Sequence, residues 1–306
     1  MNVRGLVISI VLCSSEVLSF QSPRFKRTQT TCSSTTSLAV AIAPPEIESR
    51  SAPSEVVGLF DEFAASFEDN LIDDLGYTAP RDVAAAATKR IEDEENRGRQ
   101  GRLYSSAIDA GCGTGLIGPY LRNIIKGPIV GVDLSPKMVE LAAELVVDDG
   151  PSPMTKNRMR RCDETARTAQ GLKRLYDGLF TGDLLDLDNA RNVDGYGHDI
   201  RTFPREAVDL IVSADVLCYF GDLKDVLQEF SDRLAAGGDL IFTTETMAQG
   251  DYSWVQLVSK RYAHSPEYVH RMAAEAGLTK VSQVAFSPRS ELGEKVLGTL
   301  HTFTKQ

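Results

Sequence analysis

From about residue 103 the chain alternates short apolar runs with longer amphipathic stretches. "LYSSAIDA" predicts a strand and "GLIGPYLRNII" a helix. "GPIVGVDL" reads as a strand. "SPKMVELAAELV" reads as a helix opened by Ser135 and Pro136, a good cap and first-turn pair. "DGLFTGDLLDL" contains a short strand, and "AVDLIVSADVL" is continuous enough to be a buried one. The amphipathic "LKDVLQEFSDRLAAGG" follows, then the strand "DLIFTTE", the helix "SPEYVHRMAAEAGL", and two closing strands, "VSQVAF" and "VLGTLHTFT". Such alternation predicts an α/β fold with a parallel, doubly wound, Rossmann-like sheet and helices on both faces.

Ahead of this domain, residues 55–98 read as a helical cap. "VVGLFDEFAASFEDNLIDDLGYTAP" sets Phe60, Phe63 and Phe67 at helical spacing, with Asp61, Glu62, Glu68 and Asp69 toward water. The apolar stripe packs on the domain or closes over a substrate. A second helix is expected from Pro80 to about Glu95. Two polar insertions interrupt the α/β domain, which spans 103–306: one over about 148–174, the other over about 188–203. The first holds Lys156, Arg158, Arg160, Arg161, Arg167, Lys173 and Arg174. It is either a solvated loop or a docking patch for an acidic protein partner.

The first 45 residues read as a cleavable targeting presequence, not as fold. Arg4 precedes the nine-residue apolar run "GLVISIVLC", too short to cross a bilayer but right for a signal-peptide core. From Val17 to Pro45 there is no acid, while Arg24, Lys26, Arg27 and many Ser and Thr are present. That is transit-peptide composition. A signal segment joined at Phe20 to a transit segment resembles the two-part presequences of algae whose plastids lie inside extra membranes. The expected location is therefore a plastid, with secretion as the alternative. No stable membrane insertion of the mature chain is expected.

Composition narrows the function. The chain has 306 residues, 42% hydrophobic and 25% charged, which suits a soluble globular protein with one sizeable domain. Its formal net charge is −10, and removing residues 1–43 takes away four basic residues and one acid to leave −13. That acidity argues against a nucleic-acid binder. Five scattered cysteines form no CxxC pair and no Cys/His cluster with metal spacing, so no metal site is expected.

The candidate chemistry gathers at "AIDAGCGTGLIG". Gly113, Gly115 and Gly118 fit GxGxxG, by itself a weak signal. Asp109, at the strand end just before the bend, discriminates. Its carboxylate would repel a pyrophosphate seated there and attract a cation. S-adenosylmethionine offers an ammonium and a sulfonium and no phosphate. Gly111 and Gly113 would let the backbone approach its methionine half. Asp133 ends the next strand and can accept from both ribose hydroxyls. In "TGDLL", Asp183 is placed to accept from the adenine amino group and Leu184 to supply an apolar face.

"AIDAGCGTG", "GVDLSPKMVELA", "FTGDLLDL", "VDLIVSADVLCYFGDL" and "LAAGGDLIFTTE" resemble, in order, the motifs of class I S-adenosylmethionine-dependent methyltransferases. The resemblance runs from about Leu103 to Gln306. It implies a seven-stranded sheet of order 3-2-1-4-5-7-6 with the seventh strand antiparallel. It also implies methyl transfer beyond the carboxyl end of the fourth strand, here "SADVLCYF". The flanking "LFDEFAASFEDNLIDDLGYTAP" and "RYAHSPEYVHRMAAEAGL" are similar to a group of bacterial methyltransferases, some of them fused to tetratricopeptide repeats. No such repeat occurs here. Thr114, Leu134, Met138 and Asp215 complete the expected cofactor contacts.

For the reaction, Tyr219 is expected in the methyl pocket or as a packed aromatic. His264, with Arg261 and Tyr262, is expected on the substrate side or as a helix-start residue bonded to backbone. Cys218 sits in an apolar context that gives a thiolate no support. The chain lacks the Asn/Asp-Pro-Pro-Tyr run that accompanies methylation of base or glutamine amino groups in this fold. A small-molecule or carrier-bound acceptor remains: an organic acid, a phenol, a quinone precursor or an acyl-carrier-bound chain. The alternative is a non-catalytic assembly or interaction protein that keeps the fold.

Overall fold

The computed structural model describes residues 48–64, 76–98, 103–147, 161–193, 196–198, 205–247, 252–291 and 294–306. The presequence, Phe67, Glu68, Asp69, Lys156, Arg158 and Arg160 lie outside the described residues.

Two helices come first, α1 (Pro53–Phe63) and α2 (Ala79–Asn96). The α/β body then runs β1 (Ala107–Ala110), α3 (Gly118–Leu121), β2 (Ile129–Asp133), α4 (Pro136–Ala143), α5 (Glu164–Gln170), β3 (Gly178–Thr181), β4 (Arg191–Asn192) and β5 (Val208–Ser213). It continues with α6 (Lys224–Arg233), β6 (Leu234–Thr246), β7 (Trp254–Gln256), β8 (Tyr262–His264), α7 (Pro266–Glu275), β9 (Leu278–Phe286), β10 (Ser290–Glu291), β11 (Glu294–Lys295) and β12 (Gly298–Lys305).

The main sheet has the order β4-β3-β2-β1-β5-β6-β12-β9. β1, β2, β3, β5 and β6 pair in parallel, and β12 runs antiparallel to both β6 and β9. With the short edge strand β4 set aside, this is the expected 3-2-1-4-5-7-6 order with its last strand reversed. β4 lies in the second polar insertion and pairs antiparallel with β3. β7 and β8 form a small hairpin, and β8 extends the far end of β6. β10 and β11 pair separately.

Both faces of the central strands are apolar, as a sheet covered on both sides requires. Ile108, Val130, Val132, Phe180, Ile211 and Phe242 point to one face, against Val226, Leu227 and Phe230 of α6 and Val269 of α7. Ile129, Leu179, Leu210, Val212 and Ile241 point to the other, against Val83, Ala87 and Ile91 of α2 and Val139 of α4. Each such side chain stabilises the fold by about 1.5–3 kcal/mol when fully buried. α4 starts where expected, with Ser135 Oγ accepting from the Met138 N–H. α7 starts the same way on Ser265, which accepts from Tyr268.

Two elements differ from the sequence expectation. "GLIGPYLRNII" forms only the single turn α3. The Arg122 guanidinium, just past it, bonds Leu175 O at 2.7 Å and Gly127 O at 3.0 Å, and Ile125 bridges to Tyr104. These tertiary contacts take the backbone out of the helix. "LAAGG" belongs to β6, not to the preceding helix, because α6 ends at Arg233. That buried guanidinium is anchored to Glu229 at 2.9 Å and Asp188 at 2.6 Å.

No helix among the described residues is long and apolar enough to cross a membrane. The described part of the basic insertion is turned partly inward. Arg161 bonds Leu141 O and, at 3.1 Å, Thr114 O; Arg167 bonds Leu172 O at 3.1 Å; and Arg174 lies over the Tyr196 ring.

Candidate functional site

The carboxyl ends of β1, β2, β3 and β5 open into one cavity, at the point where the sheet's strand order reverses. In open α/β sheets this is where ligands bind. Its floor is the glycine bend. Gly111 has φ +79° and Gly113 φ +53°. A Cβ at Gly111 would collide with Val216, so a side chain there fails on space as well as on conformation. At Gly113 no atom lies within 4 Å of the corresponding position, which leaves bare backbone facing the cavity.

Asp109 lies at the bottom, 1% exposed, and Oδ2 accepts a 2.6 Å bond from the Tyr176 hydroxyl. Burial pushes its carboxyl up to about 7, with the Tyr176 bond opposing and nearby Asp133 adding to the rise. It is a carboxylate in want of a cation. Asp133 is braced by two backbone donors, Gly113 N to Oδ2 at 2.8 Å and Ser135 N to Oδ1 at 2.9 Å. Burial raises it too, against those bonds. Thr114 is 1% exposed, lines the cavity, and its buried Oγ1 has no hydrogen-bond partner among the described residues. A buried hydroxyl without a partner is costly unless a ligand completes it.

Leu134, Asp183 and Leu184 also line the cavity. Asp183 does not present a free carboxylate to an adenine, however. Arg50 grips it through Nη1–Oδ2 at 2.8 Å and Nη2–Oδ1 at 2.9 Å, and Leu185 N also donates to Oδ1. Arg50 belongs to a short strap that crosses the cavity mouth. Ser51 N donates to Tyr219 O, while Gly221 N and Asp222 N donate to Ser49 O. Met138 is fully buried in α4 and does not line the cavity, which corrects its assignment as a cofactor contact. Its backbone N–H serves the Ser135 cap instead.

The roof is α1. None of its residues is buried by the protein itself, yet Val56, Leu59, Phe60 and Phe63 line the cavity. Phe60 meets Tyr219 edge-to-face at 5.6 Å between ring centroids. The helix is pinned by Asp61 Oδ1, which accepts from Ser135 Oγ at 2.5 Å. The apolar stripe therefore faces the cavity, as a lid would. Tyr219 lines the same chamber, and burial raises its hydroxyl pKa well above the ordinary range, so it remains a phenol.

The far wall is charged. Asp215, at the end of β5, holds φ +61°, a strained conformation for a residue with a side chain. Its Oδ2 accepts from Arg289 Nη1 at 2.6 Å. Arg289 is 3% exposed and also donates to Glu245 at 2.5 Å and to Glu291 at 2.8 Å. Arg261 pairs with the same two glutamates, at 2.7 Å for Glu245. Burial alone would raise Glu291, but Arg261 and Arg289 outweigh it and hold the group below its usual value. Among the described residues Asp215, Cys218 and Glu245 converge closely enough to hold a cation. The Arg289 guanidinium bonds both carboxylates and already supplies positive charge there. Burial lifts the Cys218 thiol well above its usual pKa, so it is no nucleophile.

His264 does not line the cavity. It is fully buried, and its Nε2–H donates to Phe220 O at 2.8 Å and Gly221 O at 3.2 Å. Burial lowers its pKa to about 4, so the ring is neutral near pH 7. Of the expected Arg261–Tyr262–His264 cluster only Arg261 reaches the cavity. Tyr262 instead donates to Glu48 O at 2.6 Å, tying down the strap. His264 thus supports the turn that carries Tyr219 and does not act as a substrate base. His264→Phe is expected to lower stability by about 1–3 kcal/mol, from the stranded carbonyls. The S-adenosylhomocysteine Kd should stay within about threefold. Urea denaturation and calorimetry check this, and a large affinity loss without a stability change would return His264 to the site.

S-adenosylmethionine fits these groups. Asp109 would take the ammonium, the Gly113 bend and Thr114 Oγ1 would receive the amino-acid tail, and Asp133 would meet the ribose. Residues 108–240 match a family described as a methyltransferase domain. No curated protein matches the sequence closely enough to count. Among solved structures the chain is similar to the 1,6-didemethyltoxoflavin N1-methyltransferase of Burkholderia thailandensis, with bound 1,6-didemethyltoxoflavin and S-adenosylhomocysteine. The identity there is 16%, over 88% of this chain and 95% of that one, with a TM-score of 0.51. It is also similar to the N-methyltransferase NodS of Bradyrhizobium japonicum, at 16% identity over 81% and 97% of the chains, TM-score 0.49. The magnesium protoporphyrin IX methyltransferase of Synechocystis is a third, at 15% identity over 85% and 100%, TM-score 0.47. The matched stretch, residues 108–240, is a methyltransferase domain, and the reversed last strand and the strand order give it the class I methyltransferase fold.

Proposed function

We propose that the protein moves a methyl group to a small-molecule acceptor held between the glycine bend and the roof helix. The observation that carries this reading is the continuity of the cavity. One chamber joins the cofactor groups Asp109, Thr114 and Asp133 to the aromatic and charged walls at Tyr219, Asp215 and Arg289. The Burkholderia neighbour binds a small molecule as well. When bound, the cofactor supplies a sulfonium methyl that is already electrophilic, so the protein's main work is alignment and exclusion of water. Phe60, Phe63 and Tyr219 exclude water, and the charged wall orients the acceptor. Kinship with the narrower bacterial group is part of this reading and is supported by the flanking segments, which become α1 and α7.

Incubation with isotope-labelled S-adenosylmethionine and a plastid extract should label one or a few small metabolites, and Asp109→Ala should label none. Equal labelling by that variant would overturn the reading. A non-catalytic protein would bind the cofactor and label nothing.

The plastid address is likewise proposed, from the composition of residues 1–45. Because Ser49 and Arg50 pack on the site, processing is expected to leave Glu48 and everything after it in place. A fluorescent fusion of residues 1–55 that stayed outside the plastid would refute the address.

A further inference from the structure

The cavity's charge points to the kind of acceptor it takes. Asp109 and Asp133 lie on its cofactor side and Asp183 is held by Arg50, so the acceptor side is lined by the carboxylates of Asp215 and Glu291 and the guanidiniums of Arg261 and Arg289. All three guanidiniums are already paired, Arg50 with Asp183 and the other two with the acids of the far wall. Glu245 stands just behind that wall, bonded to both arginines, and adds a further negative charge. An acceptor carrying a carboxylate or phosphate would find no unpaired arginine on this wall and would meet an excess of like charge in a partly desolvated space.

One acceptor atom on the wall remains open. Asp215 uses Oδ2 for Arg289, and Oδ1 has no partner among the described residues. Its strained backbone turns the residue toward the cavity at the end of β5. The same cavity is lined by Phe60, Phe63, Tyr77 and Tyr219, an apolar surface suited to an aromatic ring.

We infer that the methyl acceptor is an uncharged or cationic aromatic molecule whose ring N–H or O–H donates to Asp215 while its ring packs against the Phe60–Tyr219 wall. Anionic acceptors are disfavoured. This rests on the methyl-transfer reading and narrows the organic acids, phenols and carrier-bound chains that the sequence leaves open.

The test uses the full chain saturated with S-adenosylhomocysteine and two probe pairs with matched rings and opposite tails: dopamine against dihydroxyphenylacetate, and serotonin against hydroxyindoleacetate. By calorimetry the amines should bind at least about 30-fold more tightly than the acids. Asp215→Asn keeps the shape, and asparagine tolerates a left-handed backbone. It should weaken amine binding to the S-adenosylhomocysteine-saturated protein by about tenfold. Acids binding as tightly as amines, no saturable binding of either amine, or unchanged amine affinity in Asp215→Asn would each overturn the inference. Failure of S-adenosylhomocysteine itself to bind would instead overturn the methyl-transfer reading. The wild-type pairs decide the charge claim even if the variant does not fold.

Discussion

Asp109→Ala folds and loses the cofactor. S-adenosylhomocysteine affinity should fall by at least about 100-fold, the scale expected when a buried ammonium loses its carboxylate. The same carboxylate predicts a pH dependence. Burial holds its pKa at about 7, so below that pH the group is a neutral acid and must lose a proton before it meets an ammonium. Affinity should therefore climb with pH up to about 7 and level off above it, weakening about tenfold per unit on the acid side. The apo protein follows the opposite slope. A carboxyl raised in the fold above its unfolded value contributes stability that is fully present below about pH 4 and lost as the pH rises through about 7. For Asp109 alone that is about 4 kcal/mol. Half-buried Asp133 and buried Glu245, also raised, act in the same direction. Calorimetry across pH, with thermal melts of apo and bound protein, reads both slopes. A flat affinity profile would mean that Asp109 is ionised without a ligand.

Arg289→Met should be the most destabilising single change in the charged wall. One guanidinium, 3% exposed, bonds Asp215, Glu245 and Glu291. Its removal strands three carboxylates with only Arg261 to share, and breaking a buried ion pair in this way costs about 3–5 kcal/mol. The loss should be largest near neutral pH and shrink as the solution is acidified, because protonation relieves the stranded charges. Urea denaturation at about pH 7 and about pH 5 measures it. A wild-type midpoint, or a loss independent of pH, would show that the network contributes little.

What can be read from the chain is what is local. The strands announce themselves as apolar runs, and the bend announces itself as glycines directly after an acid, so the amino-acid sequence alone picks out Asp109, Gly111, Gly113 and Asp133. Partners from distant sequence are not legible in this way. Tyr176 stands 67 residues from Asp109, Arg289 stands 74 from Asp215, and Arg50 stands 133 from Asp183. Nothing in spacing or periodicity links such pairs; only closure of the sheet brings them together. His264 and Met138 show the complementary limit. A polar residue before a helix, or a methionine in its first turn, has the same local pattern whether it turns to the cavity or to the core. Both turn to the core. The roof helix is ambiguous for a related reason: an apolar stripe states that a face will be covered, but not whether by protein or by ligand.

The claim beneath all of this is that an acid under a glycine bend selects the ammonium of an amino-acid tail over a pyrophosphate. Titration of the purified protein with S-adenosylhomocysteine and with NADPH, at about pH 8 where Asp109 is ionised, tests it most directly. The account predicts saturable binding of the first and none of the second. Binding of NADPH with no heat from S-adenosylhomocysteine would contradict it.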